Sequence, residues 1–157
     1  MTVPAGTKLG RYEIRSRALE LDPNYLFAHW QLGLAYANKS MFEQAIAESR
    51  KAVELSGHGP GAVGGLGLVY ATSGRRDEAE QVLGELKEVA KRRYVSASSL
   101  ASIYARLGDK DAAFEWLEKA YREGAYGILF LKSEPEFDGL RSEPRFQDVM
   151  RRVGLPQ

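Results

Sequence analysis

The 157-residue chain contains no cysteine, which excludes disulfides, thiol nucleophiles and Cys-based zinc sites. Histidine is almost as scarce, since His29 and His58 are the two imidazoles and their separation matches no metal-ligand spacing. Neither sign of charge dominates. With 22 basic residues against 21 acidic and a net charge of +1, nothing electrostatic calls for nucleic acid or an anionic membrane as partner. No apolar run approaches the roughly 18 residues that a bilayer-spanning helix needs. The opening MTVPAGTKLGRYEI lacks the apolar stretch of a secretion signal. The expectation is therefore a cytoplasmic chain with no metal, no cofactor, no nucleic acid and no membrane partner. No nucleophile–base pair or paired carboxylates stand out, so no catalytic residue is assigned and the chain is not expected to be an enzyme.

What the sequence does have is a repeat. Tyr36, Tyr70 and Tyr104 recur at a spacing of 34 residues, and so do Ala45, Ala79 and Ala113. Leu32-Gly33, Leu66-Gly67 and Leu100-Ala101 keep the same phase, as do Ala52, Leu86 and Ala120. Each unit reads as two helices. Leu32, Ala35 and Tyr36 fall at i, i+3 and i+4 and share one helical face. Breaks follow at 38–41, at Ser73-Gly74 and at Leu107-Gly108, where glycine suits a left-handed C-cap. Asp109 is placed to cap the next helix. In that second helix Ala45, Ile46, Ala52 and Val53 share a face, with Glu48, Arg50 and Lys51 expected outside.

This pattern of Leu-Gly-x-x-Tyr followed by two spaced alanines resembles the tetratricopeptide repeat. The resemblance covers three units near 26–59, 60–93 and 94–127. Residues 11–25 look like a partial repeat helix, with Pro23 at the repeat's terminal proline position. Gly57 and Lys91 replace that proline in later turns, and Val63 stands where the signature Trp would be. The resemblance implies an all-α, right-handed helical-repeat solenoid whose first helices line a concave groove. Residues 1–10 are expected to be extended or disordered, and 128–157 to form a C-terminal cap.

In that last segment SEPEFDGL (133–140) is echoed by SEPRFQDV (142–149). Ser133 and Ser142 are expected N-caps, with Pro135 and Pro144 in the first turn, where a missing N–H is tolerated. Phe137, Leu140, Phe146, Val149 and Val153 would cover the open end of the last unit, as a solenoid requires. The run 128–131 would be buried between repeat and cap. Residues 108–121 and 140–156 also resemble the ends of bacterial Ser/Thr protein kinases with tetratricopeptide tails, and 5–14 resembles the opening of their kinase domain. The glycine-rich phosphate loop, Lys strand and catalytic loops of a kinase are missing, so no kinase activity is expected.

Carried onto this chain, the groove positions of the resemblance fall on Phe27, Trp30, Gln31, Leu34 and Asn38 in the first unit. They fall on Gly61, Gly64, Gly65, Leu68 and Thr72 in the second. In the third they fall on Val95, Ser98, Ser99, Ser102 and Arg106. Chaperone-docking members hold an acidic peptide tail with basic residues at several such positions, and those are largely absent here. An apolar shelf of Phe27, Trp30 and Leu34 suits an amphipathic helix or hydrophobic peptide; packing against the chain's own N-terminus or against a symmetry-related copy is the competing reading. The expected partner is a protein or peptide, with a homodimer through the N-terminal partial repeat as the alternative. The glycine-rich stretch 59–68 follows no strand and lacks Lys-Ser/Thr, so it is not read as a phosphate loop. Gly64 and Gly65 could instead form a smooth groove floor where a ligand backbone comes close. The basic runs 91–93 and 151–152 sit near helix ends and complement the helix dipole. His29 is expected to be exposed beside Trp30.

Overall fold

A computed structural model describes residues 18–154. The expectations for residues 1–10, for residues 11–17 of the partial repeat and for the kinase-like stretch at 5–14 lie outside the described residues. Within them, residues 18–21 are helical and three helix pairs follow. The first pair is α1 (Leu26–Ala37) and α2 (Phe42–Leu55), the second α3 (Pro60–Thr72) and α4 (Arg76–Val89), the third α5 (Ala97–Leu107) and α6 (Lys110–Arg122). Two 3-10 helices, η1 (Tyr126–Phe130) and η2 (Pro135–Leu140), lead into α7 (Pro144–Val153). No strand occurs among the described residues.

The turn inside each pair is built three times in the same way. One to three residues past the first helix the backbone turns left-handed, at Ser40 (φ 59°), Gly74 (φ 77°) and Gly108 (φ 80°). The next N–H then reaches back to the repeated tyrosine, as Met41 N to Tyr36 O at 2.9 Å, Arg75 N to Tyr70 O at 2.9 Å and Asp109 N to Tyr104 O at 3.1 Å. This bond spans the left-handed residue and satisfies a carbonyl that the helix end would orphan. Asp109 then caps α6, its Oδ1 accepting from Ala112 N at 3.1 Å.

Small residues let the helices approach. Ala45, Ala52, Ala79, Ala113 and Ala120 are fully enclosed, and Leu86 fills the same position in the second pair. Gly67 lies so close to its neighbours that a Cβ there would stand 2.6 Å from Val82 Cγ1 and 2.8 Å from Ile103 Cδ1. The first helices stack in order, α1 on α3 and α3 on α5. Then η2 packs on α5, taking the place that another first helix would hold.

The cap is anchored by apolar burial. Phe137, Leu140, Phe146 and Val149 are each at most 2% exposed, and Phe137 and Phe146 rings stand 6.1 Å apart. Ion pairs of α7 with α6 decorate this contact: Arg145 meets Asp111 at 2.7 Å, Lys110 meets Glu143, and Arg152 meets Glu118. Exposed pairs of this kind contribute about 0–1 kcal/mol each, whereas a buried Phe contributes about 1.5–3.

Three local expectations need correction. Ser133 and Ser142 do not cap: the N-cap residues are Glu134 and Glu143, neither with a side-chain cap bond. The helices start at the prolines, so the residue directly before each proline takes the cap position, and Ser133 Oγ donates to Phe130 O instead. The first of the two is a 3-10 helix. In 128–131, Ile128 and Leu131 are buried but Leu129 and Phe130 are exposed.

Candidate functional site

The first-helix face of units one and two begins with aromatic side chains. Tyr25 and Phe27 are about half exposed, and Phe27 meets the edge of Trp30 with ring centroids 5.5 Å apart. Gln31 and Leu34 are half-buried one turn on, and Asn38 is exposed at the end of α1. In the second unit Leu68 and Thr72 are half-buried, with Thr72 Oγ1 donating to Leu68 O at 2.8 Å.

Gly64 and Gly65 do not form an open floor. Both are buried, and each is covered by a side chain of a neighbouring first helix. The Trp30 indole covers Gly65, where a Cβ would stand 2.6 Å from Trp30 Cδ1. Ser99 covers Gly64, with its Cβ 3.2 Å from where one would sit. These glycines let α1 and α5 close onto α3, and that contact is a reason for tolerating residues that each cost about 1 kcal/mol in a helix. Trp30 Nε1 is enclosed there without a hydrogen-bond partner.

The third unit is closed. Ser98 and Ser102 are buried, because Gly127 of η1 presses on Ser98 and η2 lies along α5. Ser102 Oγ donates to Ser98 O at 3.0 Å. Arg106 is half-buried with its Nε unpartnered, and it faces Glu136 of η2. Burial pushes the Glu136 carboxyl above the usual range, and repulsion from Glu134 adds to this; Arg106 and the Ser102 hydroxyl pull the other way. Burial also raises Glu134. The groove positions assigned to this unit thus hold the cap rather than facing solvent.

His29 also departs from its expected exposure. It is 9% exposed, with Nε2 donating to the Pro23 carbonyl at 2.9 Å and Nδ1 lying 2.5 Å from Glu48 Oε2. The ring ties the 22–25 turn to both helices of unit one, and Glu48 is drawn inward rather than pointing out. Among the described residues no group of three or more His, Asp or Glu is placed to hold a metal ion. No helix among them is long and apolar enough to cross a membrane.

Several surface features carried no sequence signal at these positions. Tyr94 and Tyr126 are strongly exposed, and Tyr126 stacks edge-on with Phe130 at 5.0 Å. Exposure of a single apolar residue is decided by which neighbour arrives from elsewhere in the chain, so local periodicity does not report it.

Two comparisons bear on this arrangement. The tetratricopeptide repeat family model matches residues 28–58 and 97–122, in the first and third helix pairs. A stretch of 105 residues, 67% of the chain, is 28% identical to anaphase-promoting complex subunit 3 of Schizosaccharomyces pombe. The chain spans 16% of that relative's length.

Proposed function

We propose that the chain is a protein-binding scaffold that holds a partner segment on the first-helix face of its first two units. Repeats of this kind generally mediate protein–protein interaction, and the site residues are the chain's own. The observation that carries the reading is the contrast along the stack. Ser98 and Ser102 are buried beneath the cap, whereas Phe27, Gln31, Leu34, Asn38, Leu68 and Thr72 keep exposed surface. Phe27 is the favoured anchor, because aromatic residues concentrate binding energy and this one is 48% exposed. A partner with apolar residues at helical spacing matches Phe27 and Leu34, which lie two turns apart on α1. The resemblance of 108–121 and 140–156 to kinase tails adds bacterial signalling as the setting we infer for that partner.

The test compares captured proteins from a lysate for wild type, Phe27→Glu and Glu115→Lys, all with matched helicity. A partner lost with Phe27→Glu and kept with Glu115→Lys supports the reading. Identical sets for all three sink it.

A second reading, self-association, is favoured by Leu21, which is 89% exposed on the helical residues 18–21 beside half-exposed Tyr25. Two copies meeting at this edge would form a two-fold contact. Light scattering over a range of concentrations decides it, because a constant monomer mass contradicts this reading and leaves the first intact.

A further inference from the structure

The 34-residue register exposes a missing side chain on the outer surface. Positions 50, 84 and 118 are equivalent, and each lies in the second helix of its pair. At the first seam Arg50 crosses to the next unit, with Nε and Nη2 donating to the Tyr70 hydroxyl at 3.2 and 3.1 Å. At the third seam Glu118 is met by Arg152 of α7. At the second seam the residue is Gly84. It leaves a hollow of about 260 Å³ beside Tyr104, the equivalent of Tyr70.

Gly84 has no packing reason to be glycine. Nothing lies within 4 Å of where its Cβ would be, and its φ is not in the left-handed region. In mid-helix it costs roughly 1 kcal/mol relative to alanine. That sets it apart from Gly65 and Gly67, whose missing side chains admit a neighbour.

The chemistry around the hollow is specific. Leu83 and Leu107 supply apolar walls. Arg76 is engaged by Glu80 at 3.1 Å and by the Leu107 carbonyl at 2.6 Å, and Asp109 caps α6. Lys87 Nζ stands 5.2 Å from the centre of the Tyr104 ring, and no acidic residue among the described ones pairs with it. The Tyr104 hydroxyl receives no counterpart of the bonds that Arg50 makes to Tyr70. An ammonium without a counter-ion and an O–H donor over an apolar floor together call for an anionic acceptor on a short apolar stem.

The geometry points to a second docking site at this seam, on the outer face of the stack, that takes the glutamate side chain of a partner protein. The stem lies over Gly84 where no Cβ intrudes, and the carboxylate accepts from Tyr104 Oη and Lys87 Nζ. This site is independent of the first-helix face.

The test is a titration of isotope-labelled full-length protein with capped Ala-Glu-Ala, capped Ala-Gln-Ala and free glutarate, read by NMR shifts of Gly84 and Lys87. The expected result is saturable shifts from the Glu peptide in the millimolar range. Binding should weaken about tenfold in Lys87→Met, as loss of a charge-assisted hydrogen bond implies. It should vanish in Gly84→Leu, whose Cβ meets nothing within 4 Å and whose longer side chain extends into the hollow. Equal binding of the Gln peptide, binding of glutarate alone, or no shift from any probe overturns the proposal.

Discussion

Two helical glycines, Gly67 and Gly84, allow a sharp test of how the units pack. Gly67 sits between α4 and α5 against Val82 and Ile103, which are 7% and 0% exposed, and Gly84 faces open space. Alanine gains about 1 kcal/mol of helix propensity at either site. At Gly84 that gain is kept whole. At Gly67 the new methyl would stand 3.3 Å from Val82 Cβ, which cannot swing away, so overpacking of about 1–3 kcal/mol opposes the gain. Gly84→Ala should therefore be more stable than wild type by about 1 kcal/mol, and Gly67→Ala less stable by about 1. For a chain of this size 1 kcal/mol moves the melting temperature by about 2–4 °C, so the two variants should melt about 4–8 °C apart. Thermal unfolding followed by far-ultraviolet circular dichroism reads this difference directly. If both variants gain stability equally, the close approach at Gly67 is wrong, and with it the argument that glycine sets the helix spacing.

Other outcomes follow from single residues. Ser40 holds φ 59° where the equivalent turns carry Gly74 and Gly108, so Ser40→Gly should stabilise by about 1 kcal/mol in denaturant unfolding. Phe137→Ala removes a ring that is 2% exposed and should cost about 3–5 kcal/mol, with hydrogen exchange rising in η2, α7 and the covered face of α5. Burial raises the Glu136 carboxyl in the folded state, so its contribution is fully present below the unfolded value and is lost as pH rises through the folded one. Glu136→Gln should therefore be the more stable form at neutral pH, and the gap should close in acid; Glu134 keeps its own slope of the same sign in both proteins. A gap that widens in acid would show that Arg106 outweighs burial.

The fold was legible because its strongest cue is repetition. Tyr36, Tyr70 and Tyr104 mark three equivalent helix ends, and the carbonyls of all three accept the same turn bond. The capping role of Asp109 was equally local, set by its own backbone neighbours. The site was less legible because its surfaces depend on residues distant in sequence. His29 looks exposed until Glu48, 19 positions away, and the Pro23 carbonyl enclose it. Gly64 and Gly65 look like open floor until Ser99 and Trp30 arrive over them. Ser98, Ser102 and Arg106 look like groove until the cap lies on α5, and the 3-10 course of η2 is not encoded in helical periodicity. The gap at Gly84, by contrast, is written in the sequence, because the 34-residue register sets it level with Arg50 and Glu118.

The most direct test of the binding face places a photo-crosslinking residue at Gln31, between Phe27 and Leu34, and separately at Glu115 on the outer face of α6. Each protein is irradiated in cells, and the attached protein is identified by mass spectrometry. The account predicts one recurrent partner from Gln31, absent from Glu115 and lost when Phe27→Glu is added. A recurrent partner captured from Glu115 and not from Gln31 would contradict it.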